Sequence, residues 1–260
     1  MRNAARFCLN RAKDLIAKDD EVSARYACLE LRFCIEYITY SQLELYIQEV
    51  SDDALKKWTP KQIISLLLDC DPNADKSIIV SLGVQEKLGE PAETQLLGED
   101  HRFSLKWANT QHNALGNFLH APTFAQIESG KTKGKEEVLK KATTVVNEIE
   151  KILSSPVFNV NFGSFYKFQC SYCKKDIKCR KESINKDLGI VCQDVKCKAV
   201  HDIVSEDEGT FTVKAREIEY LCNSCDTINY VGYHLIKLGN VFSCFKCGGK
   251  SQVKYVFSPI

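Results

Sequence analysis

The sequence predicts an α+β protein in which an N-terminal antiparallel α-helical bundle is followed by two small β-rich ribbons. Apolar residues recur at helical spacing through about the first 150 of the 260 residues. Nine of the 13 cysteines fall between 170 and 247, mostly as closely spaced pairs. Near 154–165 a charged helical pattern gives way to alternating apolar residues and glycine. We therefore expect three domains, covering 1–154, 155–205 and 206–260.

The composition is that of an ordinary globular protein, with 44% apolar and 27% charged residues. Charges recur every few positions at the start of the chain, which lacks the continuous apolar segment of a secretory signal. No stretch approaches the roughly 20 apolar residues of a membrane helix. We therefore expect a soluble, cytoplasmic protein with no membrane partner. In that reducing compartment, paired cysteines are expected to bind metal rather than to form disulfides.

Five helices are expected in the first part, and this number favours an antiparallel bundle. They cover 3–18, 22–49, a segment that starts at Pro60 behind the N-cap residue Thr59, about 104–120, and 135–153. Between them, 72–100 predicts an irregular connection with one short strand at SIIVSL, and 121–134 predicts a loop. Free cysteine behaves as a small buried hydrophobe, so four scattered cysteines are expected in the core: Cys8, Cys28, Cys34 and Cys70.

Two CxxC pairs near the end of the chain give the strongest signal for a metal site. Cys222 and Cys225 are separated from Cys244 and Cys247 by 18 residues, and Gly248 and Gly249 suit a tight turn after the last ligand. Zinc favours four such ligands in a tetrahedron, and a site with all four positions filled is structural rather than catalytic. The spacing therefore predicts a zinc ribbon, with strands in the alternating segments beside the cysteines.

A similar pattern precedes it, with a wider second pair. Cys170 and Cys173 are followed after 18 residues by Cys192 and Cys197. These four cysteines are the favoured ligands of a second zinc ion, because their interval matches the later ribbon. Either Cys179 or His201 could replace one of them. Two structural zinc ions are therefore expected, and they would supply much of the folding free energy of this half.

Residues 165–181 interleave aromatic and basic side chains, which is typical of surfaces that bind RNA or single-stranded DNA. The candidate nucleic-acid-binding residues are Lys174, Lys175, Lys178, Arg180 and Lys181. From 155 to 260 there are 15 Lys and Arg against 11 Asp and Glu, an excess of +4 that two zinc sites of charge −2 would cancel. These residues could therefore serve instead to screen the thiolates. A protein or peptide partner is equally compatible with the ribbon surface.

The segment NTQHNALGNFLH, 109–120, is the candidate functional helix of the first part. His112 falls within its apolar stripe and is expected to be a partly buried, hydrogen-bonded residue. His120 shares a different face with Asn113 and Asn117. A histidine in such a position could hold a phosphate or act as a general acid or base. His120 and Asn113 are therefore the candidate catalytic residues.

The helical part resembles HEPN-type bundles of prokaryotic RNases, toxins and defence proteins. The resemblance covers about 1–153 and is carried by ARYACLELRFCIEYITY and HNALGNFLHAP. The whole chain is also similar to uncharacterised bacterial proteins that join such a region to C-terminal zinc ribbons. The resemblance implies a homodimer through the helical domain and a role in defence. In active members, an arginine precedes the histidine on this helix by about four to six residues, and two protomers together cleave RNA.

His120 matches the histidine of that family, but no arginine occupies the matching position, where the chain reads Asn, Ala and Leu. Only Arg25 or Arg32, from the second helix, could bring a guanidinium to the site. We therefore expect a zinc-binding adaptor or nucleic-acid-binding protein rather than an enzyme. The alternatives are a metal-independent RNase that uses His120, and a scaffold that binds only proteins.

Overall fold

The computed structural model describes residues 1–84, 93–130, 132–185, 187–207 and 210–255. The chain forms two compact units. The helical unit comprises Met1–Ile47 and Lys56–Phe162, and the ribbon unit comprises Gln48–Leu55 and Gly163–Ile260. No described helix is both long and apolar enough to cross a membrane. The expected division of the chain into three domains, 1–154, 155–205 and 206–260, stays a prediction.

Within its described residues the helical unit contains six α-helices, and the five expected ones are confirmed. They are α1 (Arg2–Ile16), α2 (Glu21–Leu45), α3 (Pro60–Cys70), α4 (Leu105–Asn117), α5 (Phe124–Glu128) and α6 (Lys135–Leu153). The added helix α5 lies where the sequence predicted a loop. Its single turn is held by a capping box between Thr123 and Gln126, a local signal that apolar periodicity does not report.

The core of this unit surrounds α2, which packs against α1, α3, α4 and α6. Leu31 and Ile35 of α2 are fully buried, as are Leu115 of α4 and Ile149 of α6. Three of the four scattered cysteines, Cys8, Cys28 and Cys34, are also buried, which confirms their expected core role; Cys70, at the end of α3, is partly exposed.

In its described part, 71–84 and 93–104, the connection between α3 and α4 contains two strands, not the one short strand that the sequence predicted. Strand β1 (Ile78–Gly83) pairs antiparallel with β2 (Thr94–Asp100), with a register shift between Val80 and Ser81. The second strand escaped prediction because TQLLGED lacks the polar and apolar alternation of a half-buried strand.

A buried ion pair fixes the base of this hairpin. Arg102 donates to Asp100 Oδ2 from Nε at 3.1 Å and from Nη2 at 2.8 Å. It also donates to Ala74 O at 3.0 Å and to Val160 O. The two side chains are only 2% and 5% exposed. The arginine therefore joins three separate segments of the helical unit.

The ribbon unit is built from short antiparallel hairpins, as expected. Strands β3 (Phe165–Gln169) and β4 (Asp176–Arg180) pair, and β5 (Ile190–Val191), β6 (Val200–Asp207) and β7 (Thr210–Ala215) form a three-stranded sheet. In the second ribbon, β8 (Glu217–Leu221) pairs with β9 (Ile228–Gly232), and β10 (Val241–Ser243) pairs with β11 (Lys250–Gln252). Each pair of closely spaced cysteines lies between two hydrogen-bonded strands.

Candidate metal centres and neighbouring surfaces

The four cysteine turns share one backbone conformation. The residue directly after the second cysteine of each pair is left-handed: Lys174 has φ 62°, Lys198 54°, Asp226 51° and Gly248 73°. Only Gly248 adopts this region without a steric penalty. The other three residues adopt the left-handed region because the turn brings two thiols to the same side. The hydrogen bonds of the hairpin hold these residues in that conformation.

The eight predicted ligands come together in two groups of four. In the second ribbon, Cys222 Sγ lies 3.6 Å from Cys247 Sγ, and Cys225 Sγ lies 3.8 Å from Cys244 Sγ. In the first ribbon the Sγ atoms of Cys170 and Cys197 are 3.7 Å apart. Cys173 Sγ and Cys192 Sγ are 3.6 Å apart. Within each group, all ligand atoms lie within 4.8 Å of one another.

These distances fit zinc. A tetrahedron with zinc–sulfur bonds of about 2.3 Å has edges of about 3.8 Å between sulfurs. All of these cysteines are free thiols, and a disulfide would require sulfurs separated by about 2 Å. Each group could therefore hold one zinc ion, for two per chain. Four protein ligands leave no open position for substrate, so both sites are structural in type.

Backbone N–H groups favour the thiolate form that zinc requires. Ser224 N donates to Cys222 Sγ at 3.4 Å, and Gly249 N donates to Cys247 Sγ at 3.3 Å. The N–H of Cys247 is the largest influence that lowers the pKa of Cys244 to about 6. An N–H bond of this kind stabilises the negative charge of a thiolate more than it does the neutral thiol. The Gly249 N–H lowers the pKa of Cys247 as well, but the neighbouring thiols of Cys225 and Cys222 outweigh it and raise that pKa to about 12.

The wider CxxxxC pair closes because it contains the same turn, displaced by two residues. In the other turns the carbonyl of the first cysteine accepts the N–H of the left-handed residue, as Cys222 O does from Asp226 N at 2.9 Å. In this pair, Asp194 O accepts from Lys198 N at 3.0 Å instead. Cys192 stays paired with Ala199 O at 2.8 Å. The extra residues are accommodated ahead of the turn, and both thiols still reach the group.

The two alternative ligands lie outside the first metal group. Cys179 is on β4 opposite Tyr166, and burial raises the pKa of its thiol to about 11. His201 is fully buried and its Nε2 accepts from Ser171 N at 3.2 Å. His201 therefore supports the turn that follows Cys170 and is not one of the ligands of the first metal group.

Two of the predicted nucleic-acid-binding residues form a buried ion-pair cluster with Glu49. Arg180 Nε lies 3.1 Å from Glu49 Oε2, and the two side chains are 4% and 1% exposed. Lys178 Nζ lies 3.6 Å from Glu49 Oε1. Both cations also lie over the ring of Phe165. This cluster attaches the segment Gln48–Leu55 to the first ribbon within the ribbon unit.

The other three candidates lie nearer the surface and also have partners within the chain. Lys175 Nζ lies 2.6 Å from Asp194, and Lys181 pairs with Glu206. Lys174 donates to Ser171 O at 2.9 Å. Intramolecular carboxylates thus offset much of the positive charge that the sequence pattern suggested for a nucleic-acid surface.

The candidate residues of α4 separate into different environments. His112 is buried and its Nε2 lies 2.8 Å from Glu36 Oε1, which confirms its expected role. Asn113 is exposed and donates to Asn109 Oδ1 at 3.3 Å. His120, also exposed, lines a cleft of about 400 Å³ together with Arg25. His120 and Asn113 line different clefts, so the structure does not group them as a catalytic pair.

An apolar face of the second ribbon was not recognised from the sequence. Leu221 lies directly opposite Ile228 in the β8–β9 hairpin, and these side chains are 60% and 49% exposed. On the same face Tyr230 is 63% exposed, and in the neighbouring cysteine turn Phe245 is 77% exposed. The alternation of apolar residues was visible in the sequence, but only the structure shows that it faces solvent.

Comparison of the chain with protein-family models, with curated proteins and with solved structures gives no match.

Proposed function

We propose that this protein is a zinc-dependent adaptor that binds a protein partner through the second ribbon and catalyses no reaction there. The observation that carries the proposal is the pair of closed four-cysteine groups. With every metal position filled by a thiolate, zinc holds a surface in shape and does not activate water or substrate. The function of the ribbons is therefore expected to lie in what their surfaces bind.

The exposed apolar side chains of Leu221, Ile228 and Tyr230, on one face of the β8–β9 hairpin, support a protein partner, and Glu219 opposite Tyr230 gives this face one charge. Contiguous exposed apolar side chains are typical of protein interfaces, and tyrosine is enriched among the residues that contribute most binding energy. The argument against a nucleic-acid partner comes from the basic cluster of the first ribbon, because its arginine is buried against Glu49. Phosphate contacts would require such a cation at the surface.

The test is affinity capture from cells that naturally produce the protein, with variants on and off this face. Tyr230→Glu should abolish recovery of a specific protein, because it removes the aromatic ring and places a second carboxylate opposite Glu219. Val204→Glu in the first ribbon is the matched control, since Val204 is 57% exposed and lies outside the proposed face. Equal recovery by both variants, or recovery of nuclease-sensitive nucleic acid alone, would contradict the proposal.

A second candidate function, metal-independent RNA cleavage by a HEPN-like domain, is favoured by one specific observation. Arg25 and Lys133 line the same cleft as His120, so a cation from α2 takes the place of the arginine missing from α4. The Arg25 guanidinium also donates to Phe118 O at 2.7 Å and to Glu21 at 2.8 Å. A fixed cation beside a histidine can stabilise a pentacovalent phosphate while the imidazole transfers a proton.

This candidate is tested with zinc-loaded protein, mixed RNA and no added magnesium. His120→Ala and Arg25→Met should each abolish cleavage, whereas His101→Ala should not, because His101 lies outside the cleft. Cleavage that survives the His120 and Arg25 substitutions would assign the activity to a contaminant. The same samples, run by analytical ultracentrifugation, test the homodimer that the HEPN resemblance implies.

A further inference from the structure

We propose that Cys247 is a site of oxidation by hydroperoxides, and that this oxidation releases the zinc ion of the second ribbon while the first ribbon retains its own. The step changes the ligands themselves, so it goes beyond the adaptor function and can occur with or without a partner. Only its consequence for partner binding rests on the proposed function. Three differences between the two four-cysteine groups support it.

The first difference is how far solvent reaches the ligands. Two cysteines of each group are buried, and three of the remaining four are partly exposed. Cys247 is the exposed one. Access to solvent is one of the properties that decide which cysteine an oxidant modifies. Of the eight ligands, Cys247 is therefore the one that a dissolved peroxide reaches most readily.

The second difference is the residue that lies against the sulfurs. In each ribbon the third ligand donates its N–H, at 2.8 Å, to the carbonyl of the equivalent residue, which is Ala199 in the first ribbon and Gly249 in the second. Ala199 is fully buried. A Cβ atom on residue 249 would lie 3.2 Å from Cys247 Sγ and 3.3 Å from Cys222 Sγ. The backbone passes too close to these sulfurs for a side chain, and glycine leaves them without a covering methyl group.

The third difference is the apolar packing around each group. The ligands of the first ribbon lie in a cluster with four buried residues, Tyr166, Ile177, Ile190 and Ala199. Among the described residues of 217–255, Val231 is the one apolar side chain buried together with the ligands Cys222 and Cys244. A unit with so small a core depends on its metal to fold. Loss of ligands should therefore open the second ribbon, whereas buried side chains shield the ligands of the first.

Cys222 supplies the second thiolate that the oxidation needs. A cysteine that coordinates zinc is deprotonated, whatever the pKa of its free thiol. Cys247 Sγ attacks one oxygen of hydrogen peroxide, so that an S–O bond forms, the O–O bond breaks and the departing hydroxide takes up a proton to give water. Cys222 Sγ lies 3.6 Å away and then attacks Cys247 Sγ, which forms a disulfide and expels a second hydroxide.

The peroxide gains the two electrons that the two thiolates lose. Only Cys225 and Cys244 then remain as ligands of the second group, too few for a structural zinc site. A small-molecule thiol reverses the step by exchange: it reduces the disulfide to two thiols and is itself oxidised to a disulfide. The second ribbon can then bind zinc again.

The experiment treats the zinc-loaded full-length chain with hydrogen peroxide, while a chromogenic chelator reports the zinc released. We expect one of the two ions per chain in a first phase and the other in a roughly tenfold slower phase, because a buried thiolate reacts only after local opening. After the first phase, alkylation and mass spectrometry should find a Cys222–Cys247 disulfide and reduced cysteines in the first group. Dithiothreitol followed by zinc should restore two ions per chain.

Variants assign the first phase to Cys247. Cys247→His keeps a fourth zinc ligand that cannot form a disulfide, and the exposed position has room for an imidazole, so this variant should hold two ions and lose the first phase. Cys70→Ser is the control, since Cys70 is partly exposed and lies outside both metal groups; it should release zinc as the parent does. If Cys247→His holds only one ion, the cysteine map of the parent decides instead.

The proposal is overturned if both ions of the parent leave together, or if the cysteines of the first group are oxidised first. It is also overturned if Cys247→His holds two ions and keeps the first phase. These measurements use purified protein alone, so a failure of the adaptor function leaves them unaffected. Where a partner is captured by the untreated protein, peroxide should abolish the capture. Capture that survives the first phase would contradict binding through the second ribbon, and not the oxidation.

Discussion

Replacing Arg102 by methionine should strongly destabilise the helical unit. The guanidinium lies in a buried site and forms two hydrogen bonds with Asp100, together with bonds to the carbonyls of Ala74 and Val160. Methionine fills similar space with a flexible apolar chain but donates no hydrogen bond. The substitution therefore leaves the Asp100 carboxylate and two backbone carbonyls in place, without their main partner.

The expected loss in the free energy of unfolding is about 3–5 kcal/mol, the usual effect of removing one partner from a buried ion pair. The Asp100 side chain is 5% exposed, so water cannot replace the lost donors without opening the hairpin base. Among the described residues, Asp100 Oδ2 keeps a hydrogen bond from the N–H of Val160 at 3.2 Å. Arg102→Lys should be intermediate, because lysine keeps the charge but cannot span the acceptors with a planar fork.

The assay is urea unfolding followed by tryptophan fluorescence in a zinc-buffered solution. Both tryptophans, Trp58 and Trp107, belong to the helical unit, so the signal reports its unfolding and not that of the ribbons. A double variant with Arg102→Met and Asp100→Leu, measured beside Asp100→Leu alone, removes both charges. Because no isolated charge is then buried, it should lose no more stability than Arg102→Met alone.

Two results would refute this reasoning. A loss below about 1 kcal/mol for Arg102→Met would mean that the pair behaves like an exposed one. A double variant whose loss equals the sum of the two single losses would mean that the charges do not interact. Either outcome would remove Arg102 as the residue that fixes the base of the hairpin.

Three further predictions concern metal binding, helix capping and the buried cluster of the first ribbon. Cys222→Ser should lower the zinc content from two ions per chain to one by elemental analysis, because the second four-cysteine group then lacks one thiolate while the first group keeps its ion. Ser104→Ala removes the N-cap of α4 and should lower the stability of the helical unit by about 1 kcal/mol in the same urea assay, whereas Ser104→Asp should retain it. Glu49→Ala should remove the carboxylate that faces the buried Arg180 cation and increase amide hydrogen exchange in 48–55, whereas Lys174→Ala, at an exposed lysine that donates to Ser171 O, should change exchange there little; unchanged exchange in the first variant would contradict the ion pair.

Metal ligands and long helices could be predicted because their signals are local in sequence. A CxxC turn closes on itself within a few residues, so its chemistry is visible before the fold is known. The same holds for the helices of the bundle, whose apolar residues at steps of three and four require a buried face whatever lies against it. His112 could be assigned to the core on this ground, and its burial beside Glu36 confirms it.

Partners distant in sequence could not be predicted, and they decide what the charged residues do. The basic run of the first ribbon suggested a nucleic-acid surface, but Arg180 is buried against Glu49, which belongs to the same unit yet lies between α2 and α3 in the sequence. Charge counted along a sequence does not tell which cations already have a carboxylate beside them. The clefts depend in the same way on tertiary structure, since Arg32 and Trp58 meet α4 only when three helices pack. The metal ligands and most of the helices are predictable before the fold is known, because short-range geometry fixes both. Which side chains remain free to bind something else was decided only by the tertiary structure, because burial and ion pairing depend on residues far apart in the chain.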